Sequence, residues 1–495
     1  MMKTATIAAL VLATACSSDH HAAPDGALDD AAPDAADHTI EIAGTGQRVH
    51  VTDSGNVMVP LDFTHDPRIA ALTPDGTDYV RRDGTGASGT FTVPVGAEAT
   101  SWLLEARYAT GAPTFVDSSE HAIDLGDIVG GRPDATPVTQ TTPIALQATN
   151  LASWQDTDIL EVMSSNLGAV HFDVEIELDN PLVAGATTID GAGFDWSVQS
   201  SSLIDGSKGD VVKLLQLSTK TVGPTTYQAL SRIGTLPSFT QVDGESHTAT
   251  VALTNVTANK TLTALWHRSK YAAFKSLVGP AASDGQELLA IDTLPNASSL
   301  GFYAAAPDLV LFSTTGSDDT SQQLSYGNPF QTDEWMISYY AFDVPVTAAG
   351  ATSAFEMQAG VFEDRVIANA TVVLDPQVSP VRNPRLDGAD LFAPHTAVGL
   401  TPVVSWDAPT TGTPTSYSIV VFRVDANNGG TKVTRTATLT TRATSLRLPA
   451  GVLTHGSSFV MSINADVVPS QTTTKPFRTT LPDARSTVIT AQFQP

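Results

Sequence analysis

Four carboxylates stand at every second residue of the stretch HFDVEIELD: Asp173, Glu175, Glu177 and Asp179, with His171 beside them. In a β-strand that spacing puts all four on one face, and Phe172, Val174, Ile176 and Leu178 on the other. A row of carboxylates is a row of hard oxygen ligands, so the chemistry on offer is calcium binding. Calcium takes six to eight oxygens at about 2.3–2.6 Å, and one strand converges two of these side chains on an ion, not four. Burying the apolar set, at about 1.5–3 kcal/mol per side chain, outweighs a repulsion of about 0.6 kcal/mol between neighbouring carboxylates in water. The expectation is a strand with a solvated acidic face that discourages edge-to-edge pairing; a weak calcium site is the lesser alternative.

The densest aromatic stretch, YGNPFQTDEWMISYYAF, offers different chemistry. Tyr326 and Trp335 beside Asn328 and Asp333 would suit a sugar, with a ring to stack on and polar groups for its hydroxyls. The competing expectation makes Trp335, Ile337 and Tyr339 strand core and Asn328-Pro329 a turn, and it is preferred. In WHRSKYAAFK, the cations Arg268, Lys270 and Lys275 interrupt an acidic chain. They read as the polar face of a helix over Ser269–Val278, whose apolar stripe is Tyr271, Phe274, Leu277 and Val278. A docking patch for an anionic partner is the alternative. The run GTGASG matches Gly-x-Gly-x-x-Gly at Gly84, Gly86 and Gly89, but a dinucleotide site needs a helix after it. TFTVPVG follows, which is a strand, so the glycines make a turn. The chain has no Gly-x-Ser-x-Gly elbow, His-Glu-x-x-His helix, Walker loop or EF-hand loop. No cofactor and no enzyme activity is expected.

One cysteine occurs in 495 residues, Cys16. Met1 to Lys3 carries one positive charge, and Thr4 to Ala15 is apolar and uncharged. A membrane span needs about 20 apolar residues, so this shorter run reads as the core of an export signal. Ala13, Thr14 and Ala15 then precede Cys16. The segment resembles a bacterial lipoprotein signal, whose lipobox ends in a cysteine that receives diacylglycerol and becomes the mature N-terminus. Leucine, favoured three places before that cysteine, is Ala13 here, with Leu12 one place earlier. The resemblance implies lipid attachment at Cys16. Ser17 stands where aspartate would retain the protein in the inner membrane, which implies the outer membrane, facing the periplasm or the surface. A single cysteine excludes an internal disulfide.

The net charge is −26 and charged residues are 16% of the chain. Such a field repels nucleic acid and anionic lipid, so no nucleic-acid partner is expected. Abundant Thr, Ser, Gly and Pro suit short strands and tight turns, and the length suggests about three or four domains. Residues 1–15 are read as the signal peptide. Residues 16–38, rich in Ala, Asp and Pro, cannot bury enough surface to fold and form an acidic tether, roughly 50–70 Å long if extended. Residues 39–132 read as a small β-sandwich. Its segment DGTGASGTFTVPVG is similar to the carboxypeptidase-regulatory or transthyretin-like sandwich. A Pro/Gly linker at 129–137 leads to residues 138–376, a large β-rich region holding one large sandwich or two fused ones.

Residues 378–495 carry Trp406 on an early strand, Tyr417 opening the next, a Leu446/Leu448 strand and a strand from Phe459 to Ala465. This stretch resembles a fibronectin type III domain, an immunoglobulin-like sandwich with a core tryptophan on its second strand. In that family a tyrosine usually opens the sixth strand and bonds back into the corner. Phe459 holds that place here, so the corner must be held by packing alone. The fold expectation is all-β, with several sandwich modules in series. The function expectation is a non-enzymatic, lipid-anchored surface protein for adhesion, recognition or envelope architecture. Its partners are the membrane, through the lipid, and a carbohydrate or another surface protein. The alternative is a polysaccharide-active enzyme or its binding accessory.

Overall fold

A computed structural model describes residues 39–293, 306–481 and 483–495. The signal segment, Cys16 and the tether lie outside the described residues. The fold is all-β, with 54% strand and 4% helix, built as face-to-face sandwiches. Period-two patterning produces them. In Thr90–Gly96, Phe91, Val93 and Val95 point into the core while the residues between them stay half-exposed.

Among the described residues four sandwiches are present, with cores that run together where the sandwiches meet. The first packs the sheet carrying Thr39–Thr45 and Thr90–Gly96 on the sheet carrying Arg68–Asp75, Trp102–Arg107 and Thr114–Ser118. Ile42, Phe91, Trp102 and Leu104 fill the space between them. The region 138–376 is two sandwiches that share the long hairpin Lys213–Val222 and Thr225–Thr235. One half of the hairpin lies over the second core, of Leu146, Leu160, Trp196 and Leu214. The other half covers the third, of Tyr227, Trp266, Leu289 and Phe342. The fourth sandwich, residues 378–495, sets Trp406 against Tyr417 with ring centres 5.2 Å apart. Phe459 stacks on Phe493 at 6.0 Å, and the two exchange backbone hydrogen bonds of 2.9 Å each. The corner without a tyrosine hydroxyl is therefore held by packing and by main-chain bonds.

The modules follow one another along the chain, and strand pairing joins them across their boundaries. One continuous sheet of 17 strands runs through all four sandwiches. From the second and third it passes to the fourth where Phe355–Val366 pairs with Ala484–Ile489. It then reaches the first, where Gly430–Thr441 pairs in parallel with Thr114–Ser118. The first sandwich, neighbour of the second in the chain, thus lies beside the fourth in the sheet. It also touches the second. Arg132 donates to Asn166 O through its backbone (2.8 Å) and to both Asp210 oxygens through its guanidinium (2.9 Å each). Gly131 meets Leu167 so closely that a Cβ would sit 2.3 Å from its carbonyl oxygen. The four sandwiches close into a ring. The supposed linker at 129–137 and the boundary before residue 378 are packed: Arg132, Val378 and Val381 are all buried.

Candidate functional site

The acidic stretch 171–179 is not a strand. The strand Ala169–His171 stops two residues before Asp173, which turns left-handed (φ 53°), and Val174–Glu177 makes one helical turn. Val174 and Leu178 share a face at the i, i+4 spacing of a helix and are buried, while Ile176 is exposed. The acids then turn to separate partners. Glu175 accepts Leu160 N–H (2.7 Å), Glu177 accepts the Gln199 amide (2.8 Å) and Asp179 accepts Gly193 N–H (2.8 Å). The solvated stripe is corrected accordingly, and the four carboxylates do not converge on one point. No group of three or more His, Cys, Asp or Glu among the described residues is arranged to hold a metal.

One of these acids, Asp173, instead borders a cluster that the sequence did not reveal. Glu161, Asp292, Asp308 and Asp364 come from four strands and are all buried. Glu161 reaches the cluster from the second sandwich and the other three from the third. Asp308 is the centre, hydrogen-bonded to both Glu161 and Asp292. Two carboxyls bond each other only when one keeps its proton. Burial, followed by the charge of Asp308, holds Glu161 and Asp292 well above the usual carboxylate range. At the rim, burial pushes Asp173 up to about 6 and Glu175 to about 7. The visible signal was slight, a lone acid inside the apolar run ILEVM. Closed off from solvent, the cluster joins two sandwiches and offers a substrate no access in this conformation.

The aromatic stretch also folds inward, but Met336, Tyr340 and Phe342 fill the core while Ile337 and Tyr339, expected there with Trp335, are half-exposed. Tyr326 and Trp335 are 2% and 7% exposed, so neither ring presents a face to a sugar. Trp335 packs with Ala306 and Leu481. Asp333 is exposed and stands apart from them. The polar residues gather on Glu334, the buried residue that opens the strand Glu334–Val346. Its Oε2 accepts the Tyr326 hydroxyl (2.7 Å), and its Oε1 accepts both Asn328 Nδ2 (2.9 Å) and Lys260 Nζ. Asn328 Oδ1 accepts the backbone N–H groups of Phe330 (2.9 Å) and Gln331 (3.1 Å), which makes the expected turn. Burial and the neighbouring Glu334 push the Tyr326 phenol up, so it stays a donor.

The basic cluster is paired internally. Its helix is shorter than expected, Arg268–Ala272 followed by a single turn at Lys275–Leu277. Tyr271 and Val278 are buried, as the stripe requires. Arg268, 4% exposed, pairs with buried Glu287 at 2.6 Å and lies 5.8 Å from the Trp266 ring. Lys270 pairs with Asp375 (2.7 Å) and Lys275 with Asp284 (3.0 Å). The Gly84–Gly89 run leads into the strand Thr90–Gly96, so no helix N-terminus faces it.

Among the described residues, clefts open between sandwiches. One of about 200 Å³, between the first and fourth, is lined by Asp117, Ser118, Glu120, Thr441, Arg442 and Gln471 among others. Burial raises the Asp117 carboxyl even though Thr441 donates to it at 2.6 Å. The other, about 430 Å³, lies between the third and fourth beside Pro345, Phe392 and His395. The first cleft, with its hydroxyls, carboxyls and guanidinium, has the chemistry to hydrogen-bond a small polyol.

No protein-family model matches the chain, and no curated protein is similar to it. Among solved structures, trypsin-activated α2-macroglobulin from Escherichia coli aligns at 10% identity and TM-score 0.14. That alignment covers 89% of this chain and 29% of the macroglobulin, so the chain spans under a third of it. Two B repeat units of the collagen-binding protein of Staphylococcus aureus align at 7% identity and TM-score 0.11, over 92% of this chain and all of theirs. At such scores neither likeness says what this chain does.

Proposed function

We propose that this chain is a lipid-anchored outer-membrane protein, non-enzymatic, whose four interlocked sandwiches present a rigid surface for recognition or envelope architecture. The observation that carries this reading is the continuous sheet through all four sandwiches. Adjacent domains joined by small polar interfaces move relative to one another; strands paired across the boundaries resist that motion. The anchor rests on Cys16 behind its apolar segment, and the stand-off on the acidic residues 16–38. Radiolabelled palmitate tests it: wild type takes up label and fractionates with membranes, and Cys16→Ala does neither. A wild type without label contradicts the anchor.

The hydroxyl-lined cleft between the first and fourth sandwiches favours a second reading, carbohydrate binding by an accessory protein. A glycan array probed with the whole chain, read for both binding and product release, separates the two readings and exposes any hydrolase.

A further inference from the structure

The cluster around Glu334 brings together an amine, an amide and a carboxylate, the three groups that an amide transfer uses. Lys260 Nζ and Asn328 Nδ2 rest on the same oxygen, Glu334 Oε1. The other oxygen is fixed by the Tyr326 hydroxyl. Asn328 Oδ1 already accepts two backbone N–H groups, from Phe330 and Gln331. Donors in that position stabilise negative charge as it develops on a carbonyl oxygen under attack. Chain packing holds the parts in place. Lys260 pairs across strands with Tyr326, and Gly327 packs so tightly on Thr257 that a Cβ would lie 2.3 Å from its carbonyl oxygen. Holding nucleophile and acceptor together replaces a bimolecular encounter with an intramolecular one.

We propose that Lys260 and Asn328 become joined by an isopeptide bond, with Glu334 as the catalytic acid–base. Glu334 takes a proton from the Lys260 ammonium, and the freed lone pair attacks Asn328 Cγ. Charge collects on Oδ1 under the Phe330 and Gln331 N–H groups. The Cγ–Nδ2 bond then breaks as Nζ loses a second proton. Glu334 carries both protons in turn to Nδ2, which departs as ammonium. One ammonium and one primary amide become one secondary amide and a free ammonium ion, with no change of oxidation state and no co-reactant. Escape of the ammonium into solvent makes the step irreversible, so it need occur only once per molecule. The product ties the start of the strand Lys260–Trp266 to the turn before Glu334–Val346.

Intact mass and a proteolytic digest of the full chain test this directly. The expected result is the loss of one ammonia, localised to a branched peptide that links Lys260 to Asn328. Glu334→Gln keeps the shape but cannot relay the proton, and the full mass should return. Lys260→Arg keeps a cation against Glu334 but supplies no nucleophilic amine, so it too should show full mass while remaining folded by circular dichroism. Wild type at full mass overturns the proposal. So does an ammonia loss that persists in Lys260→Arg, or one replaced by water at Asn328, which is simple deamidation.

Discussion

Phe115 of the first sandwich and Leu439 of the fourth lie directly opposite each other in a parallel strand pair, both buried, although most of the chain separates them. With Leu72 and Leu103, Phe115 belongs to the same core as Trp406 and Ile463. Leu439→Ala should therefore cost about 2–5 kcal/mol and loosen both sandwiches together. Hydrogen exchange checks this: protection should fall in Thr114–Ser118 as well as in Gly430–Thr441. Loss confined to the fourth sandwich would show that the pair couples nothing.

The Arg132–Asp210 contact closes the ring on its other side. Arg132 is 8% exposed and Asp210 3%. Arg132→Ala strands a buried carboxylate, which costs about 3–5 kcal/mol. Chemical denaturation measures it, and a change under about 1 kcal/mol, the scale of an exposed pair, would mean that the contact does not hold the ring.

Two sets of buried groups act in opposite directions between about pH 4 and 7, and because four carboxyls oppose one histidine, stability should fall as pH rises across that range. Burial pushes His171, stacked on Trp196 at 4.4 Å, down to about 4. The unfolded chain binds that proton near pH 6.5, so this stability is present above 6.5 and lost as pH falls towards 4. At about 1.4 kcal/mol per pH unit the loss is about 3 kcal/mol. The raised carboxyls work the other way. Asp173 and Glu175, at about 6 and 7, and Glu161 and Asp292 above their usual range, contribute stability fully below their unfolded values near 4. That contribution is lost as pH rises through the folded values. Melting curves across pH 4–9 should show that fall. His171→Phe should steepen it between pH 4 and 6.5, and the double variant Glu161→Gln/Asp292→Asn should flatten it. A double variant with an unchanged slope would remove the carboxyl cluster from the explanation.

The strands and the four cores were legible because period two is a local signal: Phe91, Val93 and Val95 alternate inward as their order in the chain implies. Residues 171–179 misled because their apolar positions satisfy two periods. Val174 and Leu178 lie two apart twice over, as in a strand, and also four apart, as in a helical turn, and the left-handed Asp173 decided between them. Glu161, Asp292 and Asp308 meet only through the packing of two sandwiches, a relation that no local pattern carries. Tyr326 and Asn328 were recognised as polar chemistry beside aromatics. The acid that organises them, Glu334, lies in the same stretch, whereas its third donor, Lys260, is far away in the chain and became visible only once its strand paired with Thr320–Tyr326. The ring was hidden for the same reason, since parallel pairing across the whole chain leaves no mark on either strand.

Calorimetry of the full chain tests most directly the claim that the four sandwiches are locked into one body. The account predicts a single cooperative transition whose calorimetric and van't Hoff enthalpies agree, and limited proteolysis that releases no stable piece resembling residues 378–495. Separate transitions, together with a protease-resistant fragment of the fourth sandwich, would contradict it.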